Sequence, residues 1–393
     1  MLESKLKVLE LFAGIGACSK ALTNLGIEHE IVDAVEIDKY AVQSFNAIHG
    51  TNFEPQDITK WDKDIECDLI MHGSPCQDFS VAGKGAGGDK DSGTRSSLMY
   101  ETLRIVEKLK PKYVVWENVK NLLSKKHRHN FDAYLDAMEA LGYSSKYQVL
   151  NAKDYGVPQN RERVFTVSIK NTITSAAFVM PDGTKKPIIY SEIDSFSFPA
   201  PTELKIRLKD VLEQEVDEKY YLSDEQTSKL RAKVGQLYGL GNQEPKIVAS
   251  RGRGESNEQR LEARKDGLTN TITSVAKDNY LAIKNATKRG YLEAYDGDGI
   301  DCQYLSSTMR RGRVQHGMSQ TIPSTTAGVG VNDSMRIRKL TPKECWRLMG
   351  FGDKDFDRAK ASGVSNSQLY KQAGNSIVVN VLEGILRNLL TSQ

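Results

Sequence analysis

Apolar positions along the first 170 residues alternate between two periods. Leu6-Lys7-Val8-Leu9-Glu10-Leu11-Phe12 is a short apolar run of the buried-strand kind, and Ala13-Gly14-Ile15-Gly16 turns the chain after it. Ala21, Leu22 and Leu25 then recur at helical spacing up to Gly26. Residues 31–37 read as a second strand and 38–48 as a helix. A third strand is expected to end at Asp57, and 67–72 and 112–117 read as two more. Helical periodicity runs over 96–109 and again over 130–141, stopping at Gly142. This alternation predicts an α/β fold with a doubly wound, mostly parallel sheet over residues 1–170.

The pattern changes at Asn171. From there to Met335 apolar runs shorten and Gly, Ser, Thr, Asn and Arg become frequent, which predicts a smaller, irregular, β-containing domain over 171–335. One capping box, Ser223-Asp224-Glu225-Gln226, predicts a helix to about Ala232. Gly267–Ser274 echoes Gly317–Ser324, and each follows an Arg-Gly-Arg cluster, as a duplicated hairpin or by chance. Regular pattern resumes at Arg338. Thr341 reads as an N-cap, Pro342 as the first helical residue and Glu344 as the capping-box partner of a helix ending near Gly350-Phe351-Gly352. A last helix after Asn375-Ser376 aligns Val378, Leu382, Ile385 and Leu389. With no partner of its own for that face, segment 336–393 is expected to return to the first domain.

The chain has 393 residues and a net charge of only +3, so any surface suited to nucleic acid must be local. Without a membrane-length apolar run or the apolar core of a signal peptide, it reads as a cytoplasmic protein. Its five cysteines are widely spaced, which argues against a disulfide framework or a metal site. Cys345, beside Trp346, Leu348 and Met349, reads as core.

Cys76 differs, because Gly73-Ser74-Pro75-Cys76-Gln77-Asp78-Phe79-Ser80 follows a strand, at the sheet edge where such folds bind ligands. A thiolate there is a nucleophile. Glu117-Asn118-Val119 ends the next strand at the same edge, and its carboxyl can donate to a ring nitrogen. Gln159-Asn160-Arg161-Glu162-Arg163 leads into another strand. Its arginines could orient that carboxyl or bind a carbonyl or phosphate, or form a surface ion-pair run. Gly14 and Gly16 bring backbone close to a ligand. Ser19 stands where a dinucleotide fingerprint wants Gly or Ala, which disfavours NAD. Glu36 can accept from the ribose hydroxyls of an adenosine and Asp57 from an adenine amino group.

In this order the motifs resemble those of the bacterial and phage DNA cytosine carbon-5 methyltransferases over nearly the whole chain. The matching runs are Phe12-Ala13-Gly14-Ile15-Gly16, Glu36, Asp57, Pro75-Cys76-Gln77, Glu117-Asn118-Val119 and Gln159–Arg163. Arg338–Pro342 with Glu344-Cys345, and Gln372-Ala373-Gly374-Asn375-Ser376, complete them. The resemblance implies S-adenosyl-L-methionine as cofactor, held by Phe12, Ala13, Gly14, Gly16, Glu36, Ile37, Asp57, Ile58, Pro75, Leu98, Asn375 and Ser376. It implies Cys76 as the nucleophile on cytosine carbon 6, Glu117 at the ring nitrogen, and Arg161 and Arg163 orienting both.

The partner implied is double-stranded DNA with the cytosine flipped out, read by a monomer because one flipped base needs one site. The Gly- and Lys-containing stretch Ser80–Leu98, with Ser80 and Lys84, fits a lid over that base. Thr321, from a Thr-Ile pair, is expected on the DNA backbone. Arg251, Arg253, Arg311 and Arg313 are expected on guanine edges or phosphates, the alternative being flexible surface loops. The alternatives are a transfer-RNA cytosine methyltransferase, which should show a smaller recognition region and a Cys-Phe-Thr signature, and an inactive DNA-binding relative.

Overall fold

In a computed structural model, which describes residues 5–75, 98–179, 185–230, 248–252, 259–262, 279–324, 328–334 and 336–391, the alternating segments build one six-stranded sheet. Strand β1 (Leu6–Leu11) precedes helix α1 (Ala17–Asn24), and β2 (His29–Val35) precedes α2 (Lys39–His49). Then come β3 (Leu69–His72), α3 (Met99–Leu109), β4 (Tyr113–Val119) and α4 (Arg128–Ala140), and finally β5 (Tyr143–Asn151) and β6 (Glu162–Lys170). The strand order is β2-β1-β3-β4-β6-β5. The first four strands are parallel, and β6 runs antiparallel to both neighbours.

The two-residue period of the strands makes two cores. Leu6 and Val8, Leu69 and Met71, Tyr113 and Val115, and Phe165 and Val167 face one side with α1. Leu9, Leu11, Ile70, Val114 and Trp116 face the other, under α3 and α4.

The strand expected to end at Asp57 is not formed. Asp57 turns its carboxylate back on its own backbone, accepting from the Thr59 amide at 3.0 Å and the Thr59 hydroxyl at 2.8 Å, and so caps a short 3-10 turn, Ile58–Lys60. Such local side-chain bonds compete with a ladder. The Gln56 amide reaches the Glu36 carbonyl at 2.8 Å, so the segment still runs beside the end of β2. Consequently the Gly73 loop follows the third strand, not the fourth.

Beyond the large sheet lie a hairpin of β7 (Thr172–Val179) and β8 (Lys185–Tyr190) and helix α5 (Asp224–Leu230), which opens with the reciprocal Ser223–Gln226 bonds of a capping box. Strands β9 (Val248–Gly252), β10 (Gln259–Glu262), β11 (Asn279–Lys284) and β12 (Tyr291–Ala294) form a sheet ordered β10-β9-β11-β12. Strands β13 (Gly299–Asp301), β14 (Val314–Gln315), β15 (Val329–Asp333) and β16 (Arg336–Lys339) form another, ordered β14-β13-β15-β16. Leu281, Ile283, Ile300, Val314 and Ile337 make a third core between them.

Four helices finish the described chain: α6 (Pro342–Arg347), α7 (Asp353–Ala361), α8 (Asn366–Asn375) and α9 (Val379–Thr391). Thr341 and Glu344 exchange the two bonds of the expected capping box. The periodicity did not announce α7 and α8: α7 buries only Asp355, Phe356 and Ala359, and the buried face of α8 mixes Gln372 and Gly374 with Leu369, Tyr370 and Ala373. Val378, Leu382, Ile385 and Leu389 are all buried, and α9 packs on α1, where Asn24 Nδ2 donates to Glu383 Oε1 at 2.7 Å. Cys345 is buried in the same core. Cys76, Ser80, Lys84, Arg253 and the Gly267–Ser274 echo lie outside the described residues.

Candidate active site

The carboxyl ends of β1 to β4 and the start of the antiparallel β6 meet at one sheet edge. β1 passes into Phe12, which takes a left-handed backbone (φ 53°) that side-chain-bearing residues seldom adopt. Gly14 follows at φ 56°, and no atom lies within 4 Å of where a Cβ would stand, so the backbone there borders open space. Phe12, Ala13 and Gly14 line a cleft together with Gly73, Asn375 and Ser376. Segments some 300 residues apart in sequence are thus brought to one wall. Pro75 lies in the loop leaving Gly73.

Gly16 does another job. A Cβ on it would fall 2.1 Å from His49 Nε2 and 2.8 Å from the Phe45 ring, so it lets the turn close on α2. At the end of β2, Glu36 accepts from the Gly14 amide at 3.0 Å and the Asp38 amide at 2.8 Å, tying the glycine turn to the second strand. Burial raises the Glu36 carboxyl above its ordinary pKa, and the two amides partly offset this. Ile37 beside it is 70% exposed, an apolar side chain standing in solvent. Ile58 is buried in the core, where Phe12 and Leu98 pack at the margin.

Sequence reasoning missed Glu10. It lies on β1 facing α1, lines the same cleft, and is 3% exposed. Its carboxylate accepts from the Ser19 amide at 3.0 Å and from the Ser19 hydroxyl. Burial pushes its pKa up to about 7. A lone acid between Leu9 and Leu11 in a buried strand was the signal.

At the chemical end, Glu117 on β4 and Arg163 on β6 lie on one face of adjacent strands, and Arg163 Nε sits 3.0 Å from Glu117 Oε1. Glu117 is largely buried, and Glu117 Oε2 lies 3.7 Å from the Cβ position of Gly73. Residues on the opposite face of β4 hold the loop that leads to Cys76. Trp116 Nε1 donates to Ser74 Oγ at 3.0 Å, and Asn118 Nδ2 reaches Ser74 Oγ at 3.3 Å and its carbonyl at 3.4 Å. The Glu-Asn pair therefore divides its work: the acid faces the site and the amide fixes the neighbouring loop.

The family description "C-5 cytosine-specific DNA methylase" matches residues 6–391. The orphan methyltransferase M.SPRI of Bacillus phage SPR is 34% identical over 439 residues, covering 98% of each chain. The type II methyltransferase M.HhaI of Haemophilus parahaemolyticus is 30% identical, covering 98% of this chain and 95% of its own. The chain belongs to the C-5 cytosine-specific DNA methylases. The fold is shared with solved structures. S. pombe Dnmt2 methyltransferase superposes with TM-score 0.54 at 19% identity over 98% of this chain and 99% of its own. Entamoeba histolytica methyltransferase EhMeth superposes with TM-score 0.57 at 14% identity over 99% of both chains.

Two of the arginines named from the sequence of this methylase are buried among backbone carbonyls. Arg161 is 4% exposed and donates to the carbonyls of Ile322, Gly374 and Ser376. Arg313 is fully buried, and its guanidinium donates to the carbonyls of Asp301, Gln303, Tyr304 and Ser307. Placed so, it cannot read a guanine edge; it is the hub of a loop. That loop presents Tyr304 (75% exposed, φ 47°) and Met309 (86% exposed), two large apolar side chains in solvent. Arg310 stacks over the Tyr304 ring at 5.0 Å and pairs with Asp301 at 2.8 Å. Arg311 is exposed, donating to the Ala286 carbonyl at 3.0 Å. Thr321 is exposed too, its hydroxyl donating to the Asn160 carbonyl at 2.8 Å. Arg251 lies on β9.

Proposed function

We propose that this methylase transfers a methyl group from S-adenosyl-L-methionine to carbon 5 of a cytosine flipped out of a specific sequence in double-stranded DNA, with Cys76 as nucleophile. The observation that carries the reading is the Arg163–Glu117 pair, set at the same sheet edge as the Ser74 loop that runs into Cys76. The residues present suit the cofactor. Gly14 leaves room that a side chain would fill, the Glu36 carboxylate stands behind it for ribose hydroxyls, and the exposed Ile37 offers an apolar surface to adenine. Phe12, Ala13, Asp57, Ile58, Pro75, Leu98, Asn375 and Ser376 complete the proposed set, with Gly16 supporting the turn.

When bound, the cofactor supplies an electrophilic methyl group on a sulfonium. The protein's own part is to make carbon 5 a nucleophile. The Cys76 thiolate forms a bond to carbon 6, while Glu117, oriented by Arg163, delivers a proton to the ring nitrogen, so that electron density moves to carbon 5. After carbon 5 has taken the methyl, it gives its proton to water, the carbon 6–sulfur bond breaks to release Cys76 as thiolate, and the ring nitrogen returns its proton to Glu117. Residues 171–335 serve as the recognition domain, and 336–393 complete the catalytic one. The DNA-facing side chains are Thr321, Arg311 and the loop that Arg313 holds, with Ser80, Lys84, Arg251 and Arg253 as further contacts.

The test is methylation of a duplex plasmid library with tritiated S-adenosylmethionine by wild type and Cys76→Ala, followed by base-resolution mapping of 5-methylcytosine. Label at one recurring motif, absent with the variant, is expected. Label in transfer RNA and not in DNA would overturn the DNA reading.

A further inference from the structure

The place that Arg161 takes has a use of its own. Its guanidinium sits where three segments distant in sequence meet. Nη1 donates to the Ile322 carbonyl at 3.4 Å, and Nη2 donates to the carbonyls of Gly374 at 3.1 Å and Ser376 at 2.9 Å. Its backbone is fixed in turn, since its amide donates to Asn151 Oδ1 and its carbonyl accepts from the Ala152 amide, both at 3.0 Å. Neighbouring contacts repeat the junction. Buried Gln159 accepts from the Ile322 amide at 3.3 Å and donates to the Leu348 carbonyl at 2.7 Å. At Gly374 the two clamped segments touch, because a Cβ there would lie 2.3 Å from the Pro323 carbonyl oxygen.

Each clamped segment continues into a different part of the site. Ser376 and its neighbour Asn375 line the cleft with Phe12 and Gly14. Ile322 follows Thr321, which is exposed on the segment arriving from the smaller sheets. A planar guanidinium can hold carbonyls of two segments at set angles, which a single ammonium cannot do. Displacing either segment therefore strains the other through one side chain.

We infer that Arg161 couples cofactor binding to DNA binding. It is a positioning residue. Seating of the Thr321 segment on DNA presets the Gly374–Ser376 corner, and a filled cleft presets the segment, because a coupling free energy acts equally in both directions. The inference rests on the function proposed above.

The test uses the full chain, wild type and Arg161→Lys. The dissociation constant of S-adenosylhomocysteine is measured by calorimetry alone and on a short duplex carrying the site returned by methylation mapping; duplex affinity is measured with and without S-adenosylhomocysteine. For wild type, each ligand should tighten the other by the same factor, about tenfold. In Arg161→Lys that factor should fall toward one, while the pH profile of kcat stays that of wild type because the Arg163–Glu117 pair is untouched. Gly374→Ala, which forces the junction open with Arg161 intact, should lose the coupling as well. An undiminished factor in Arg161→Lys, or a wild type with no coupling, overturns the inference. So does a shifted pH profile in Arg161→Lys, which would return Arg161 to the chemistry. A wild type that binds neither S-adenosylhomocysteine nor DNA overturns the functional reading itself, and the inference with it.

Discussion

The edge of the large sheet and the loop before β14 expose their functional groups in opposite ways. At the sheet edge, rigid strands deliver the groups. Glu117 and Arg163 come from adjacent strands whose register sets their spacing, and the backbone beneath them is already satisfied by the ladder. In the loop from Gln303 to Gly312 there is no ladder to do this, and the carbonyls of Gln303, Tyr304 and Ser307 are gathered, with that of Asp301 at the end of β13, by one buried arginine. Backbone groups buried without partners are costly, so a loop must supply from a side chain what a sheet supplies from its neighbours. In the first region the charged residue is the proposed functional group. In the second it is the scaffold, and Tyr304, Met309 and Arg311 around it are exposed.

The largest effect should come from the strand-borne pair. Glu117→Gln keeps the shape of the side chain and removes its proton chemistry, so kcat for methyl transfer should fall by about 10²- to 10⁴-fold with the melting temperature nearly unchanged. A comparable loss of stability would mean that the acid is as much a scaffold as Arg313, and the contrast would collapse.

Arg313→Ala tests the other side. Several carbonyls would lose their donor in a buried setting, at a cost of about 3 kcal/mol or more. Chemical denaturation should show that loss, and affinity for DNA should drop alike for all sequences because the whole loop loses its form. Relaxed recognition at a single base position, with stability intact, would instead restore Arg313 as a base reader.

Glu10 sharpens the comparison, because it is an acid at the catalytic cleft that the strand buries. Its folded pKa of about 7 lies above the ordinary 4.5. The folded state therefore holds the proton more tightly than the unfolded one. Its contribution to stability is complete below about pH 4.5 and is lost as the pH rises through about 7. Glu10→Gln keeps acceptors for Ser19 without the charge. Between pH 4.5 and 8 the wild type should lose on the order of 3 kcal/mol relative to the variant, read from urea midpoints at both pH values. Parallel curves would show that Glu10 pays no burial cost.

What could be read beforehand follows the same division. Where an apolar run ends in Gly, Pro or an acid, the run predicts a strand and the strand predicts where its last residues go; Gly14, Glu36 and Glu117 could be placed for that reason, whereas Asn375, which ends α8, was named only from the motif shared with the family. The antiparallel direction of β6 was not, since periodicity is the same in both directions. Asp57 misled because an acid at a strand end and an acid capping a turn look alike until the Thr59 bonds are seen. In Arg310-Arg311-Gly312-Arg313 the letters are equivalent, and only the fold separates the ion-paired Arg310, the exposed Arg311 and the buried Arg313. Arg161 and Arg163 have the i, i+2 spacing of one strand face, but β6 begins only at Glu162, so Arg161 stands outside it and turns to the carbonyls of Ile322, Gly374 and Ser376.

Arg311→Ala should have the smallest effect and the most specific one. Its side chain is exposed and its one described bond, to the Ala286 carbonyl, leaves that acceptor open to water when lost, so melting should shift little. Affinity for the mapped site should fall by about 1–3 kcal/mol if the guanidinium meets a base edge, with one position of the site relaxed in a binding selection. A phosphate contact would lower affinity for every sequence and reduce the salt dependence by about one ion. Either result keeps the loop as the DNA-facing surface and separates it from its hub. Unchanged affinity, salt dependence and selectivity would break the comparison at its outer face, leaving Tyr304 and Met309 exposed for some purpose other than DNA.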